Sequence, residues 1–300
     1  MNTMERLNKC PLCKSGLFLN LQEVVDHSIS GEKFMLCQCS NCQLIFTNPR
    51  PDIEHIAQYY QSTDYISHQD QSNNLTNFIY KQVRKITIKQ KVSWLNQYNE
   101  KKGNLLDIGC GTGYFLEAAA KNGWSVSGIE PDQTARKLAK NKKIKVKKSI
   151  SELFKKDQYQ CISLYHVLEH IHELRKTGKQ LSKMLKNGGT LMIAVPNINS
   201  YDAKYYGPYW AGLDVPRHLY HFTPETIQQF AELVGLKIQA IIPMKFDSYY
   251  VSLLSEKYQK VKSNIIQQYS HGLITGLKSN LWAKNNQDNY SSILFILKKV

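Results

Sequence analysis

Two cysteine pairs near the N-terminus have the spacing of a metal site. Cys10 and Cys13 form one C-x2-C pair, and Cys39 and Cys42 form a second pair after 25 intervening residues. Each pair can supply two thiolates from one tight turn, and four thiolates complete a tetrahedral zinc site. Because a closed four-thiolate site has no open position, we expect structural zinc here and no catalysis. The alternative is a pair of turns with reduced, empty thiols; Cys37 could replace Cys39 only with a poorer spacing.

A glycine-rich turn follows an apolar run near the middle of the chain. The segment reads Leu-Leu-Asp-Ile-Gly-Cys-Gly-Thr-Gly-Tyr over residues 105–114. Glycines let the backbone turn tightly from a strand into a helix, and they let a ligand approach without meeting a Cβ atom. A dinucleotide fingerprint needs a third glycine where Tyr114 stands, so that fingerprint is incomplete. Alone, the turn would also fit a connection that binds nothing.

Glu130 adds a second element to this turn. It lies 17 positions after Gly113, at the end of the next predicted strand. A carboxylate there can accept hydrogen bonds from both hydroxyls of a ribose, and it would repel a 2′-phosphate. The combination predicts a ribose-bearing cofactor and disfavours NADP.

Histidines follow two of the predicted strands. His166 comes directly after the fourth strand, and His218 lies in an aromatic segment after the fifth. Both are candidate general bases, and Arg217 could bind a carboxylate or phosphate group of a substrate. The series His166, Glu169 and His170 offers metal-ligand types, so a metal there is a weaker alternative. The remaining alternative is that Glu169 and His170 only start a helix and pack.

Strands and helices alternate between residues 103 and 195, which predicts an α/β fold with a parallel sheet and right-handed crossovers. We expect a zinc-ribbon-like module over 1–50, a helical linker over 51–100 and a catalytic domain over 101–300. Within that domain, the aromatic segment 196–222 is a candidate lid over the acceptor, or packs its aromatics on the sheet. The expected strands are 104–108, 124–129, 144–146, 161–165, 190–195, 236–242 and 292–297.

These motifs together resemble the class I S-adenosylmethionine-dependent methyltransferases, most clearly over residues 103–225. Asp214 to His218 and Phe222 to Glu225 also resemble a bacterial subfamily with an N-terminal cysteine-pair module. The resemblance implies a Rossmann-like sheet of seven strands with the last one antiparallel, and S-adenosylmethionine as cofactor. The cofactor-binding residues expected on this basis are Asp107, Gly109, Cys110, Gly111, Gly113, Glu130 and Tyr165.

Composition narrows the class of protein. No apolar run approaches the roughly 18 residues that span a membrane, and Met1 to Lys9 lack the apolar core of a signal peptide. Five of the seven cysteines cluster before residue 43, which favours metal ligation in a reducing compartment over a disulfide framework. We therefore expect a cytoplasmic protein.

Three functions fit these observations. The first is methylation of oxygen or carbon on a small-molecule acceptor, such as a sugar or a lipid-linked compound. The second is RNA methylation, prompted by the net charge of +15, although the basic stretch 136–156 also fits a solvated surface. The third is a non-catalytic protein that keeps the fold. The sequence leaves the oligomeric state open.

Overall fold

The computed structural model describes residues 3–60, 75–259 and 264–299. Within these ranges the strands are β1 (Met4–Glu5), β2 (Phe18–Val25), β3 (Lys33–Cys39), β4 (Ile45–Thr47), β5 (Arg50–Pro51), β6 (Asn104–Ile108), β7 (Ser125–Ile129), β8 (Lys145–Lys147), β9 (Tyr159–Tyr165), β10 (Leu185–Pro196), β11 (Tyr220–His221), β12 (Leu236–Pro243) and β13 (Ser292–Lys299). The α-helices are α1 (Leu75–Gln97), α2 (Tyr114–Lys121), α3 (Gln133–Asn141), α4 (Leu174–Met184), α5 (Tyr201–Tyr206), α6 (Pro224–Leu233), α7 (Asp247–Gln259) and α8 (Ile265–Lys284).

A seven-stranded sheet forms the centre of the molecule, in the order β12-β13-β10-β9-β6-β7-β8. Strands β6 to β10 pair in parallel, whereas β13 runs antiparallel to both β10 and β12. The central strands are apolar on both faces and are buried, as parallel strands covered by helices must be. The predicted Rossmann-like sheet with an antiparallel last strand is confirmed.

Two helices begin at side chains that cap their first turn. Asp132 caps α3 by accepting a hydrogen bond from the amide of Ala135, and Thr223 caps α6 in the same way. The strand expected at 190–195 begins earlier, at Leu185, because Leu185 already pairs with Tyr159 before the register shifts ahead of Thr190. Residues 61–74 of the expected helical linker lie outside the described residues.

A second sheet carries the cysteine turns, in the order β11-β4-β3-β2. Its outer strand β11 comes from the segment after β10, so this sheet is completed by residues far along the chain. Leu219, just before β11, accepts a hydrogen bond from the amide of Thr47 at 3.1 Å and donates one to the carbonyl of Glu169 at 2.8 Å. This residue joins the cysteine module to the turn after β9.

Helices α7 and α8 pack against each other and were not expected from the sequence. Their contact is made by small residues: a Cβ atom on Gly272 would lie 2.9 Å from the Leu253 Cα, and one on Gly276 would lie 2.8 Å from the Tyr249 Cα. The large apolar side chains of α8 point outward instead, as Ile266 and Leu277 do. This arrangement reverses the usual amphipathic pattern, which is why periodicity did not predict it.

None of the helices in the described ranges is both long enough and apolar enough to cross a membrane.

Candidate cofactor and acceptor site

The glycine bend after β6 is open to a ligand. Gly111 has a φ of 51°, in the left-handed region that favours glycine, and a Cβ atom there would meet nothing within 4 Å. Gly109 also has a positive φ, and a Cβ atom there would lie 2.5 Å from Val167 Cγ2. Cys110 turns its sulfur toward Gly128 on β7, so the backbone of the bend, and not the thiol, borders the open space.

Glu130 points into this bend. Its Oε2 accepts a hydrogen bond from the Gly111 amide at 2.8 Å, and its Oε1 accepts one from the Asp132 amide at 2.8 Å. Burial raises the pKa of the Glu130 carboxyl, while these two amides oppose the rise. The structure therefore brings together the two elements that sequence spacing paired, although contact with a ribose stays a prediction.

Asp107 and Tyr165 border the same region from β6 and β9. The hydroxyl of Ser163 donates to Asp107 Oδ1 at 2.6 Å, and burial raises the pKa of the Asp107 carboxyl to about 7. The Lys91 ammonium from α1 lies 3.8 Å from the centroid of the Tyr165 ring, within cation–π distance. Lys91 had no recognisable motif in the sequence, and only the packing of α1 over the sheet reveals it.

His166 ends β9 in a left-handed conformation, with a φ of 56°. Its Nε2 lies 2.9 Å from Asp247 Oδ2 on α7, and its Nδ1 lies 3.6 Å from Glu169 Oε1. Burial lowers the pKa of the imidazole, but these two carboxylates outweigh burial and raise it to about 9. The ring thus lies between two acidic groups, and Asp247 is a partner that the sequence did not reveal.

Arg217 is turned away from solvent and is only 2% exposed. Its Nη2 lies 2.8 Å from Asp26 Oδ1 and 2.8 Å from Asp214 Oδ1, and its Nη1 donates to the Tyr59 carbonyl at 2.9 Å. All of these partners belong to the protein. The geometry favours a structural role for this guanidinium over the predicted contact with an acceptor.

Replacing Arg217 with methionine tests that role. We expect a loss of about 3–5 kcal/mol in the free energy of unfolding, because Asp26 would stay buried without its partner. Urea unfolding measures the change, and Lys176→Met, which removes an exposed ion pair with Glu173, serves as the matched control. A normal unfolding curve combined with a raised KM for the acceptor would instead support direct binding.

His218 faces the turn after β9. Its Nδ1 donates to the Gly212 carbonyl at 2.9 Å, and its Nε2 lies 4.0 Å from Glu169 Oε1. The structure therefore brings His166, Glu169 and His218 to one place, although they come from two distant parts of the chain.

The aromatic segment 196–222 contains both buried and exposed rings. Tyr206 and Trp210 are buried in a cluster with Phe34 of the cysteine module, whereas Tyr205 and Tyr209 are exposed. The two buried rings are consistent with the alternative that these aromatics only pack. A lid over the acceptor stays a prediction.

The four predicted zinc ligands meet at one point. The sulfurs of Cys10, Cys13, Cys39 and Cys42 all lie within 4.8 Å of one another. The Sγ–Sγ distance is 3.5 Å both between Cys10 and Cys42 and between Cys13 and Cys39. Sulfurs bound to one zinc at 2.3 Å would be about 3.8 Å apart in a tetrahedron. The donor set and its spacing fit zinc.

Both cysteine turns have the same backbone. Lys14 and Gln43, each the residue after a pair, have φ values of 69° and 63° and donate to the carbonyls of Cys10 and Cys39. Cys37 is not part of the cluster, since its single S–H faces two acceptors, Asn20 Oδ1 at 3.3 Å and the Asn48 carbonyl at 3.7 Å. The repeated turn supports a paired, four-thiolate site.

Comparison with known proteins agrees with this geometry. The family described as a methyltransferase domain matches residues 80–241, which is more than half of the chain. A ubiquinone biosynthesis O-methyltransferase from Nitrosospira multiformis is 27% identical over 159 residues, and the match covers 48% of this chain and 66% of that protein. The chain thus spans slightly less than two thirds of that relative.

Solved structures give the same fold. A geranyl diphosphate C-methyltransferase from Streptomyces coelicolor has a TM-score of 0.50 at 12% identity, covering 71% of this chain and 77% of that one. A S-adenosylmethionine-dependent methyltransferase from Archaeoglobus fulgidus has a TM-score of 0.50 at 19% identity, covering 75% of this chain and all of that one.

Proposed function

Because the chain belongs to the methyltransferase-domain family, we propose that it transfers a methyl group from S-adenosylmethionine to an oxygen or carbon atom of a small-molecule acceptor. The observation that carries the proposal is the Glu130 carboxylate hydrogen-bonded to Gly111 at an open glycine bend. A ribose-binding acid beside an amide-lined turn is what an adenosine-bearing cofactor requires.

The cofactor brings the methyl group and a sulfonium leaving group, so the protein's task is to bind and orient. Glu130 has acceptor capacity left for the ribose hydroxyls, because each of its oxygens accepts one amide hydrogen bond. We assign Asp107, near the end of β6, to the amino group of the methionine part, as the family resemblance implies. The ring of Tyr165 and the Lys91 ammonium form a side wall.

Proton removal from a hydroxyl acceptor falls to the histidines after β9 and β10. The relative from Nitrosospira multiformis is named for O-methylation, which favours a hydroxyl-bearing acceptor here as well. The Nδ1 of His218 donates its proton to a carbonyl, so Nε2 is the ring nitrogen that can accept a proton from the acceptor. His166 is the alternative base when its ring is deprotonated, a form that predominates only above its pKa of about 9.

We propose in addition that the cysteine cluster holds structural zinc. The four thiolates leave no open position, so the metal would fold the module and take no part in methyl transfer. A small module of this size gains much of its stability from such an ion.

The test of the function is transfer of labelled methyl from S-adenosylmethionine into fractionated cell extract. The wild-type protein should label one acceptor fraction, and Glu130→Ala should label none because it cannot hold the cofactor. Binding of the cofactor without labelling of any fraction would favour a non-catalytic protein. Labelling confined to the RNA fraction would move the acceptor to RNA.

On the active fraction, His166→Ala and His218→Ala identify the base. Loss of a positioned base lowers kcat about 100- to 10,000-fold, so we expect a loss of that size in at least one variant. Initial rates at saturating cofactor measure the change in kcat. His55→Ala is the control, because this histidine lies near β5, distant in sequence from both candidate bases. Full activity in both variants would remove proton abstraction by these histidines.

A further inference from the structure

Glu169 is a buried carboxylate without a hydrogen bond. It is 0% exposed, and neither of its oxygens has a hydrogen-bond partner among the described residues. The nearest cation, His166, lies 3.6 Å away and already bonds to Asp247 through its other nitrogen. Buried charged groups nearly always accept hydrogen bonds, pair with an opposite charge or coordinate a metal. A carboxylate with no hydrogen bond is therefore a candidate ligand for a cation.

Two histidines next to it are each held through one ring nitrogen. His170 Nδ1 lies 3.0 Å from the Arg217 carbonyl and 2.9 Å from the Tyr60 hydroxyl, whose oxygen can share the same ring proton as an acceptor. His218 Nδ1 lies 2.9 Å from the Gly212 carbonyl. A carbonyl oxygen only accepts, so both Nδ1 atoms carry the proton and each neutral ring has its lone pair on Nε2. Histidines that bind metals through one nitrogen are typically fixed through the other in this way.

We propose that Glu169, His170 and His218 form a second metal site, for a divalent transition-metal ion such as zinc. One donor atom from each residue lies within 4.8 Å of the other two. Two imidazoles and one carboxylate suit zinc and leave a fourth position open, as in catalytic zinc sites. If the proposed function holds, an oxygen of the acceptor would take that position. His218 Nε2 would then be a metal ligand and not the base, and the ion would lower the pKa of the bound hydroxyl.

This ligand set differs from the one that sequence spacing offered. His166 stands in the H-x-x-E-H series, but its Nε2 is bound to Asp247 and its Nδ1 is 3.6 Å from Glu169. His218, 49 positions after Glu169, takes its place because β11 pairs with β4 and returns this segment to the turn after β9.

The test counts zinc on the full chain in the absence of cofactor and acceptor. After titration with Zn²⁺ and removal of free ion, the wild-type protein should hold two equivalents, one on the cysteines and one here. Glu169→Gln and His218→Asn should hold one, with calorimetric affinity at this site at least about 100-fold weaker, since even outer-shell partners contribute 10- to 100-fold. His55→Gln, a histidine of the N-terminal region, should match the wild type.

Stability separates loss of a ligand from loss of the fold. Without the second ion, Glu169→Gln should melt at or above the wild-type temperature, because it removes the desolvation cost of a buried carboxylate that accepts no hydrogen bond. Excess Zn²⁺ should then raise the melting temperature of the wild type and leave that of Glu169→Gln unchanged. Cys13→Ser should keep the zinc bound here.

A wild-type protein that holds only the cysteine-bound equivalent would overturn the proposal. Equal affinity in the Glu169→Gln, His218→Asn double variant would overturn it as well. Cofactor binding measured on the same samples tells the two proposals apart: cofactor bound with no second zinc rejects this site alone.

Discussion

Cys39→Ser is expected to release the zinc of the cysteine cluster and to unfold the N-terminal module. Structural zinc contributes about 10–16 kcal/mol of apparent binding energy in small zinc-binding peptides, and that energy is folding energy. A three-thiolate remnant holds the ion far less tightly, and losing about half of this value removes stability comparable with the 5–15 kcal/mol of a typical domain. Metal content and thermal unfolding of the full chain measure the effect.

Cys37→Ser is the matched control for this experiment. Cys37 belongs to the same strand β3 and is equally buried, but its sulfur bonds to Asn20 and Asn48 and is not part of the cluster. A serine hydroxyl can keep those bonds, so this variant should retain zinc and stability. If Cys39→Ser and Cys37→Ser behave alike, the four-thiolate site is wrong.

Glu130→Ala is expected to abolish useful binding of the cofactor. Two hydrogen bonds from ribose hydroxyls to a carboxylate are together worth about 3–6 kcal/mol, since bonds to charged groups contribute about 1.5–3 kcal/mol each. This corresponds to a dissociation constant roughly 100- to 10,000-fold weaker. Calorimetric titration with S-adenosylhomocysteine, the demethylated cofactor, measures it without turnover.

Two further variants make this result specific. Glu117→Ala removes another carboxylate of the same domain, one that pairs with Lys121 on the surface of α2, and should bind the cofactor normally. Glu130→Gln keeps the side-chain length but loses the charge, so its affinity should fall between those of Glu130→Ala and the wild type. Unchanged affinity in Glu130→Ala would remove the ribose contact and with it the basis of the cofactor site.

The part of the site that could be predicted from the sequence is the part made by neighbouring strand ends. The bend at Gly111 and the acid at Glu130 follow β6 and β7, and parallel strands bring their carboxyl ends to one edge. The cysteine pairs could be predicted for a similar reason, because each pair is a local turn with its own ligands.

The partners of these groups could not be predicted, because packing between distant elements sets them. Lys91 reaches Tyr165 only when α1 lies over the sheet, and Asp247 reaches His166 only through α7. Asp26 lies 191 positions from Arg217 and has no motif that would indicate the ion pair. The charge and type of a residue do not indicate which distant residue it will contact, so only the folded structure reveals such pairs.

Leu219 has a consequence for how the molecule depends on its metal. Its backbone bonds to Thr47 on one side and to Glu169 on the other, and it is the direct chain neighbour of His218. A distortion of the cysteine turns would therefore be passed to the His218 ring through the peptide bond between His218 and Leu219. We therefore expect loss of the cysteine-bound ion to lower the rate of methyl transfer before it weakens binding of the cofactor. Turnover would then depend on an ion bound far from the reacting atoms.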